Sequence, residues 1–325
     1  MSKMSRRTYD VITFGDTCVD LIMSGTDVVP RFGQVEKLVD DYVLEMGGSC
    51  CIFACQAAKL GLRTAVLGRV GHDDFGRLVV SRLAESGVDT RYVSVDPTLK
   101  TGLGIALCQG GDRAILTYMG SLAAVGPDDV TDELLSLARH LHHGSFFLHT
   151  GLIEAMPDVF RRARALGLTT SLDTNWDPDE TWDSTLDEVL PLTNIFFPNE
   201  QELLRIARRD DVDLAVEWAR EQGVPIVAVK RGEGGASAFE ASEGVDCTVD
   251  PVTGGDSVGA GDSFDAGFLA AWLRDLPLSE CLKIACLCGR SVAGSIGGLA
   301  GQPAWAQVVG GNRAVRVRSP GQSNR

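Results

Sequence analysis

Asp256-Ser257-Val258-Gly259-Ala260-Gly261-Asp262-Ser263-Phe264-Asp265-Ala266-Gly267 is a loop of small residues that runs directly into an apolar helical pattern. Small side chains let main-chain N–H groups converge at a helix start. The donors there lack helical partners, and the dipole favours negative charge. A turn of this kind binds anions. Asp262, one residue further on, would stand beside the bound anion and could accept a proton from a hydroxyl that attacks phosphorus. Taken alone, a Gly-x-Gly-Asp run also reads as a glycine loop closed by an acidic helix start. The surrounding pattern therefore decides between the two.

Outward from this run, short β-rich segments alternate with amphipathic ones. The spacing predicts strands over 11–14, 64–67, 146–149, 169–172, 195–197 and 225–229. Helices are predicted over 50–60, 75–85, 156–166, 186–190, 200–207, 212–222, 264–275 and 279–295. Hairpins are predicted for 102–108 with 114–118, around Gly110-Gly111-Asp112, and for 236–240 with 246–252. Repeated strand–helix units imply an α/β domain with a mainly parallel sheet and helices on both faces. Residues 17–45 and 98–121 break the rhythm as two β-like stretches. They are expected to meet as a small sheet outside the main one, a lid. One domain over 1–310 follows, with 311–325, rich in Gly, Arg, Ser and Asn, expected as a flexible tail.

Composition narrows the function. The chain has 325 residues, 44% hydrophobic and 23% charged, with a formal net charge of −14. An acidic surface repels nucleic acid and anionic lipid, so neither is an expected partner. It does not exclude a nucleotide held by main-chain donors and a metal. The nine cysteines show no zinc-ligand spacing and read as buried reduced thiols. No apolar run approaches the roughly 20 residues of a membrane span, and no apolar leader follows Arg6-Arg7. A cytoplasmic location is the expectation.

The 256–267 run resembles the second signature of the PfkB, or ribokinase-like, carbohydrate kinase family. Its first signature is matched by Gly47-Gly48, Gly61 and Arg69-Val70-Gly71-His72-Asp73-Asp74-Phe75-Gly76. Gly15-Asp16 with Asp20 resembles the family's first substrate loop. Asn199-Glu200-Gln201-Glu202 resembles its Asn-x-x-Glu, and Lys230-Arg231-Gly232-Glu233-Gly234-Gly235 its nucleotide loop. The likeness covers about residues 9–305.

The resemblance implies a three-layer α/β/α ribokinase-like fold with a small β-sheet lid, and ATP-dependent phosphorylation of a sugar or sugar-acid hydroxyl. Asp262 would be the general base, and the N–H groups of Gly259, Ala260 and Gly261 the anion hole. Asp16, Asp20, Gly47, Gly48, Ile52 and Asn175 would face the acceptor. Asn199, Lys230, Gly232 and Gly235 would serve the nucleotide, and Glu202 would organise Mg²⁺. Asp256 would help hold a monovalent cation such as K⁺. A homodimer through the lid is expected. No Gly-x-x-x-x-Gly-Lys-Ser/Thr occurs, which excludes a P-loop kinase.

Three places depart from the family pattern, one of them Gly254-Gly255, which precede Asp256 where the family often has apolar residues. Ile52 stands where an Asn commonly bonds a sugar hydroxyl, and Trp176 where many sugar kinases have Arg. A nucleoside kinase of the same fold and a non-catalytic sugar-binding protein stay open as alternatives. His140, His142, His143 and His149 read as structural or pocket-rim histidines, with His149 nearest a strand end. Arg113 and Tyr118 read as substrate contacts or as hairpin decoration.

Overall fold

The computed structural model describes residues 7–110, 112–182, 185–241, 243–309 and 315–318. The strands are β1 (Tyr9–Gly15), β2 (Cys18–Ser24), β3 (Asp41–Gly47), β4 (Thr64–Gly71), β5 (Asp89–Asp96), β6 (Gly102–Gln109) and β7 (Asp112–Tyr118). They continue with β8 (Ala138–His143), β9 (Thr169–Leu172), β10 (Ile195–Phe196), β11 (Ile226–Lys230), β12 (Ala236–Glu240), β13 (Glu243–Val249) and β14 (Val315–Arg318).

Ten strands form one sheet in the order β14-β13-β12-β11-β10-β9-β8-β1-β4-β5. Every pairing from β11 to β5 is parallel, and the three from β11 to β14 are antiparallel. One face carries the helices Met156–Ala165, Glu200–Ala207 and Val212–Glu221, whose Phe160, Leu203 and Ala215 are fully buried in its core. The other carries Ser49–Lys59, Ala260–Trp272 and Leu278–Ala293, with Phe53, Phe268 and Leu282 buried there. These are the three layers expected. The second sheet, β3-β2-β6-β7, lies apart and is built from the two stretches that broke the strand–helix rhythm.

β1 sits between β4 and β8, so the chain leaves it toward one side through β4 and β5 and toward the other through β8 to β11. In open parallel sheets, such a reversal opens a crevice outside the carboxyl ends of the strands. Gly15 ends β1 and Lys230 ends β11, while Asp173 follows β9 and Asn199 follows β10. The candidate residues collect at that crevice because the topology ends their strands there.

Three expectations need correction. The strand placed at 146–149 is Ala138–His143, and Phe146–Leu148 is a short 3-10 turn. A run with three histidines does not look like a buried central strand. It becomes one because His140 bonds Thr169 Oγ1 (2.8 Å) and Ser171 Oγ (2.7 Å), and His142 bonds Ser171 Oγ (2.8 Å). β5, with the polar sequence Asp-Thr-Arg-Tyr-Val-Ser-Val-Asp, was not anticipated, as expected for a sheet edge. Within the stretch read as a tail, Val315–Arg318 pairs with β13 and forms the far edge. The rest of that stretch, and the hairpin tip Gly111, lie outside the described residues.

Candidate functional site

The helix Ala260–Trp272 starts behind Gly259, whose φ of 70° is a left-handed conformation that glycine tolerates. No side chain caps this start. Among the described residues the N–H groups of Gly259, Gly261 and Asp262 meet no acceptor, and Ala260 makes only a long 3.3 Å bond to the Ser257 carbonyl. Unfilled donors and the dipole thus point at one spot. A Cβ at Gly259 would lie 2.8 Å from both Gly298 Cα and Ile52 Cγ2. The turn is therefore wedged against its neighbours. Ile52, 2% exposed, packs beneath it instead of facing the crevice. The position at which the resemblance leads one to expect Asn is here used to seat the anion turn.

Asp262 lies in the first turn, half-buried. Burial, with Asp173 and Asp16 nearby, raises its pKa to about 8, while Lys230 and a hydrogen bond from Ser49 oppose the shift. A carboxyl that titrates near neutrality suits proton transfer.

Asp16 holds the start of the helix Ser49–Lys59 from a different strand end. Its oxygens accept the N–H groups of Ser49 (2.7 Å) and Cys50 (2.9 Å), and Ser145 Oγ donates to it at 3.0 Å. A Cβ at Gly48 would overlap the Asp16 carbonyl, and Gly48 sits at φ 87°. Asp16 and Gly48 thus build the floor. Asn175, at φ 54°, donates to Ser49 Oγ (3.1 Å) and Ser145 Oγ (2.6 Å). Asp262, Ser49, Asn175, Ser145 and Asp16 form one chain of polar contacts. Ser49 and Ser145 were missed in the sequence because isolated serines carry no spacing signal.

Asp20 projects from β2. Burial first, and then Asp16, raise its pKa to about 6, and Arg113 pulls it down. A Cβ at Gly47 would overlap the Asp20 carboxyl carbon, and one at Gly104 would approach its Oδ1 to 2.5 Å. Both glycines leave the room this carboxyl occupies.

Lys230 ends β11 beside two carboxylates. Its ammonium bonds Asp173 (2.5 Å) and Asp265 (3.4 Å), and a Cβ at Gly261 would lie 3.5 Å from Nζ. The two carboxylates outweigh burial and hold its pKa above the ordinary lysine range. The cation therefore lies against the anion turn, held there by two carboxylates. Asp265 belongs to the quoted 256–267 run, but the ammonium it shares with Asp173 is visible only in three dimensions. Asp265 Oδ2 is buried without a partner, and burial holds this carboxyl well above the usual range.

Asn199 and Glu202 form a reciprocal capping box: Asn199 Oδ1 accepts Glu202 N–H (2.9 Å), and Glu202 Oε2 accepts Asn199 N–H (2.8 Å). Burial, then Asp173, raises the Glu202 pKa to about 7. Gly232 (φ 53°) and Gly235 (φ 89°) shape the turn between β11 and β12, and a Cβ at Gly235 would overlap the Cys247 carbonyl. Asp256 accepts the N–H groups of Val258 (3.0 Å) and Gly297 (2.9 Å), which fixes the loop before the anion turn. His149 is 2% exposed and packs over Gly15, with Nδ1 3.2 Å from His143 Nε2. Trp176, 41% exposed, meets Trp182 edge-on.

A family model described as pfkB family carbohydrate kinase matches residues 9–305. An ATP-dependent ribose-1-phosphate kinase of Halopiger xanaduensis is 30% identical over 256 residues, 77% of this chain and 81% of that protein. A 5-dehydro-2-deoxygluconokinase of Geobacillus kaustophilus is 26% identical over 320 residues, 93% of each. Among solved structures, an E. coli ribokinase-II-like protein in complex with ATP and Mg²⁺ superposes with a TM-score of 0.82 at 28% identity. That match covers 93% of this chain and 98% of the other. No helix among the described residues is long and apolar enough to cross a membrane.

Proposed function

Within the pfkB family of carbohydrate kinases, to which this chain belongs, we propose that it transfers the γ-phosphoryl group of ATP to a hydroxyl of a small sugar or sugar acid, with Asp262 as general base. The observation that carries the assignment is the pairing of a half-buried, raised-pKa carboxyl with unfilled main-chain donors in one helical turn. Phosphoryl transfer needs alignment and charge neutralisation more than covalent chemistry.

In this reading the acceptor lies between Asp20 and Asp262. Asp262 removes the hydroxyl proton as the oxygen attacks phosphorus, the bond to the β-phosphate oxygen breaks, and ADP leaves. The N–H groups of Gly259 and Gly261 hold the migrating group's equatorial oxygens. Lys230 adds positive potential behind them. The nucleotide lies along Gly232 and Gly235.

Mg²⁺ usually takes one or two carboxylates plus phosphate and water. Glu202 and Asn199, at the same helix start, fit this role through waters. The ion would neutralise the phosphate oxygens. The E. coli relative's complex with ATP and Mg²⁺ supports both ligands here.

The small sheet supports a lid that excludes water as a competing acceptor. The strand register puts Tyr42, Leu44, Leu116 and Tyr118 on the face opposite Asp20 and Arg113, and all four are exposed. A second copy of this chain covering that face gives a homodimer. Sedimentation should show a dimer that Leu116→Asp dissociates, and a monomeric wild type would remove this part.

The test of the activity is an ADP-release screen across sugars, sugar acids, sugar phosphates and nucleosides. Acceptor-dependent release with a sugar or sugar acid is expected. Release with nucleosides alone would replace the acceptor class.

A further inference from the structure

Arg113 reaches out of the small sheet to the loop that precedes the anion turn. Its Nη1 donates to the Asp256 carbonyl at 3.0 Å and to Ser257 Oγ at 2.9 Å, across 143 and 144 residues of sequence. The receiving loop is unusual. Ser257 holds φ 56°, a left-handed conformation that costs a non-glycine residue energy unless its surroundings enforce it. Two residues later Gly259 begins the turn whose N–H groups are unfilled.

On its other side this loop is held by the Asp256 carboxylate, which bonds Val258 N–H and Gly297 N–H, and by Asp256 N–H on the Ser295 carbonyl (3.2 Å). Gly254 and Gly255 precede it and add no side chain that could fix it. The loop is thus clamped between the end of the helix Leu278–Ala293 and β7. On the same face of the small sheet, Arg113 on β7 shares its side with Asp20 on β2 through the pairings Cys108↔Arg113 and Ser24↔Cys108.

We propose that Arg113 is a positioning residue for phosphoryl transfer. It braces the anion turn from the small sheet, so that the turn takes its donor-inward shape only when the sheet is seated. The acceptor-facing carboxylate Asp20 and the phosphate-facing turn are then set by one element. An acceptor that seats the sheet also completes the anion hole, and water, which does not, is a poor substrate. This inference rests on the kinase reading above for its consequence, but its geometry stands apart from it.

The experiment compares wild type, Arg113→Gln and Arg113→Lys by amide hydrogen exchange and by steady-state kinetics with ATP and the best acceptor from the screen. Exchange in the segment 255–262 of the nucleotide-free protein should rise about 10- to 100-fold in Arg113→Gln, the worth of one or two charge-assisted hydrogen bonds. Arg113→Lys should recover part of the protection. The kcat should fall by a similar factor, with KM for ATP changed by less than about threefold, as expected when an interaction realised at the transition state is lost. An arginine that only stabilises its own hairpin would raise exchange in 102–118 and leave 255–262 alone. That result overturns the brace. If wild type transfers phosphate to no acceptor, the kinase reading fails, and the exchange comparison still decides the brace.

Discussion

The Lys230 ammonium lies 2.5 Å from the Asp173 carboxylate, directly behind the glycine turn that leads to Asp262. Three charges of the site are therefore linked: Asp173 raises the Asp262 pKa and Lys230 lowers it. The pair is buried, with 14% and 3% of the side chains exposed. Removing the cation alone strands two carboxylates.

The acid limb of kcat/KM should follow from this. Asp262, with a folded pKa of about 8, is mostly protonated at pH 7 in the free enzyme and gains base strength as pH rises. Activity should drop about tenfold per unit below that point. Asp173→Asn removes a charge that raises the Asp262 pKa and should move the limb to lower pH. A pH–rate profile with the limb unmoved would separate Asp173 from the base.

Lys230→Met should cost about 3–5 kcal/mol of stability, the usual consequence of breaking a buried pair from one side. It should also move the acid limb upward, opposite to Asp173→Asn. Urea unfolding at pH 7.5 checks the first expectation. A loss under 1 kcal/mol would mean that Asp173 and Asp265 rehydrate or share a proton.

Gly47→Ala should weaken acceptor use while sparing ATP. The new methyl would displace the Asp20 carboxyl, which has no room to retreat because Gly104 lines its other side. A rise in acceptor KM of about tenfold or more is expected, the order of one lost charge-assisted hydrogen bond. An unchanged acceptor KM would remove Asp20 from the acceptor site.

The four buried histidines make a separate prediction. Burial depresses each pKa, that of His142 to about 3. The unfolded chain takes up these protons below about pH 6.5, while the folded protein does not. Each histidine therefore subtracts stability as pH falls from 6.5 toward its folded value, by about 1.4 kcal/mol per unit. Asp20, Asp262, Asp265 and Glu202, raised in the folded state, work in the opposite direction between about pH 4 and their folded values. The wild-type profile sums the two. His142→Phe isolates one histidine, stacked on Phe53, and should gain about 2 kcal/mol relative to wild type on going from pH 6.5 to pH 5. Equal stability differences at both pH values would mean that His142 is protonated in the fold.

The sequence carried the layered architecture because buried parallel strands and their covering helices write apolar periodicities that survive reading in one dimension. The anion turn was legible for a related reason: only small residues allow that main-chain approach, so Gly259-Ala260-Gly261 is conspicuous. What stayed hidden depended on pairing. The His140–His142 strand looked polar until Ser171 and Thr169 satisfied it. The pairing of Lys230 with Asp173 and Asp265 was hidden because the two carboxylates come from other elements. Ile52 looked like a lost acceptor contact, and it is a wedge under Gly259. β14 escaped because its partner among the described residues, β13, lies some seventy residues earlier.

The most direct test is turnover by Asp262→Asn with the acceptor's binding measured in parallel. The account predicts that kcat falls about 10²- to 10⁴-fold, the worth of a general base, while the acceptor Kd stays within a few-fold. Turnover equal to wild type would contradict it.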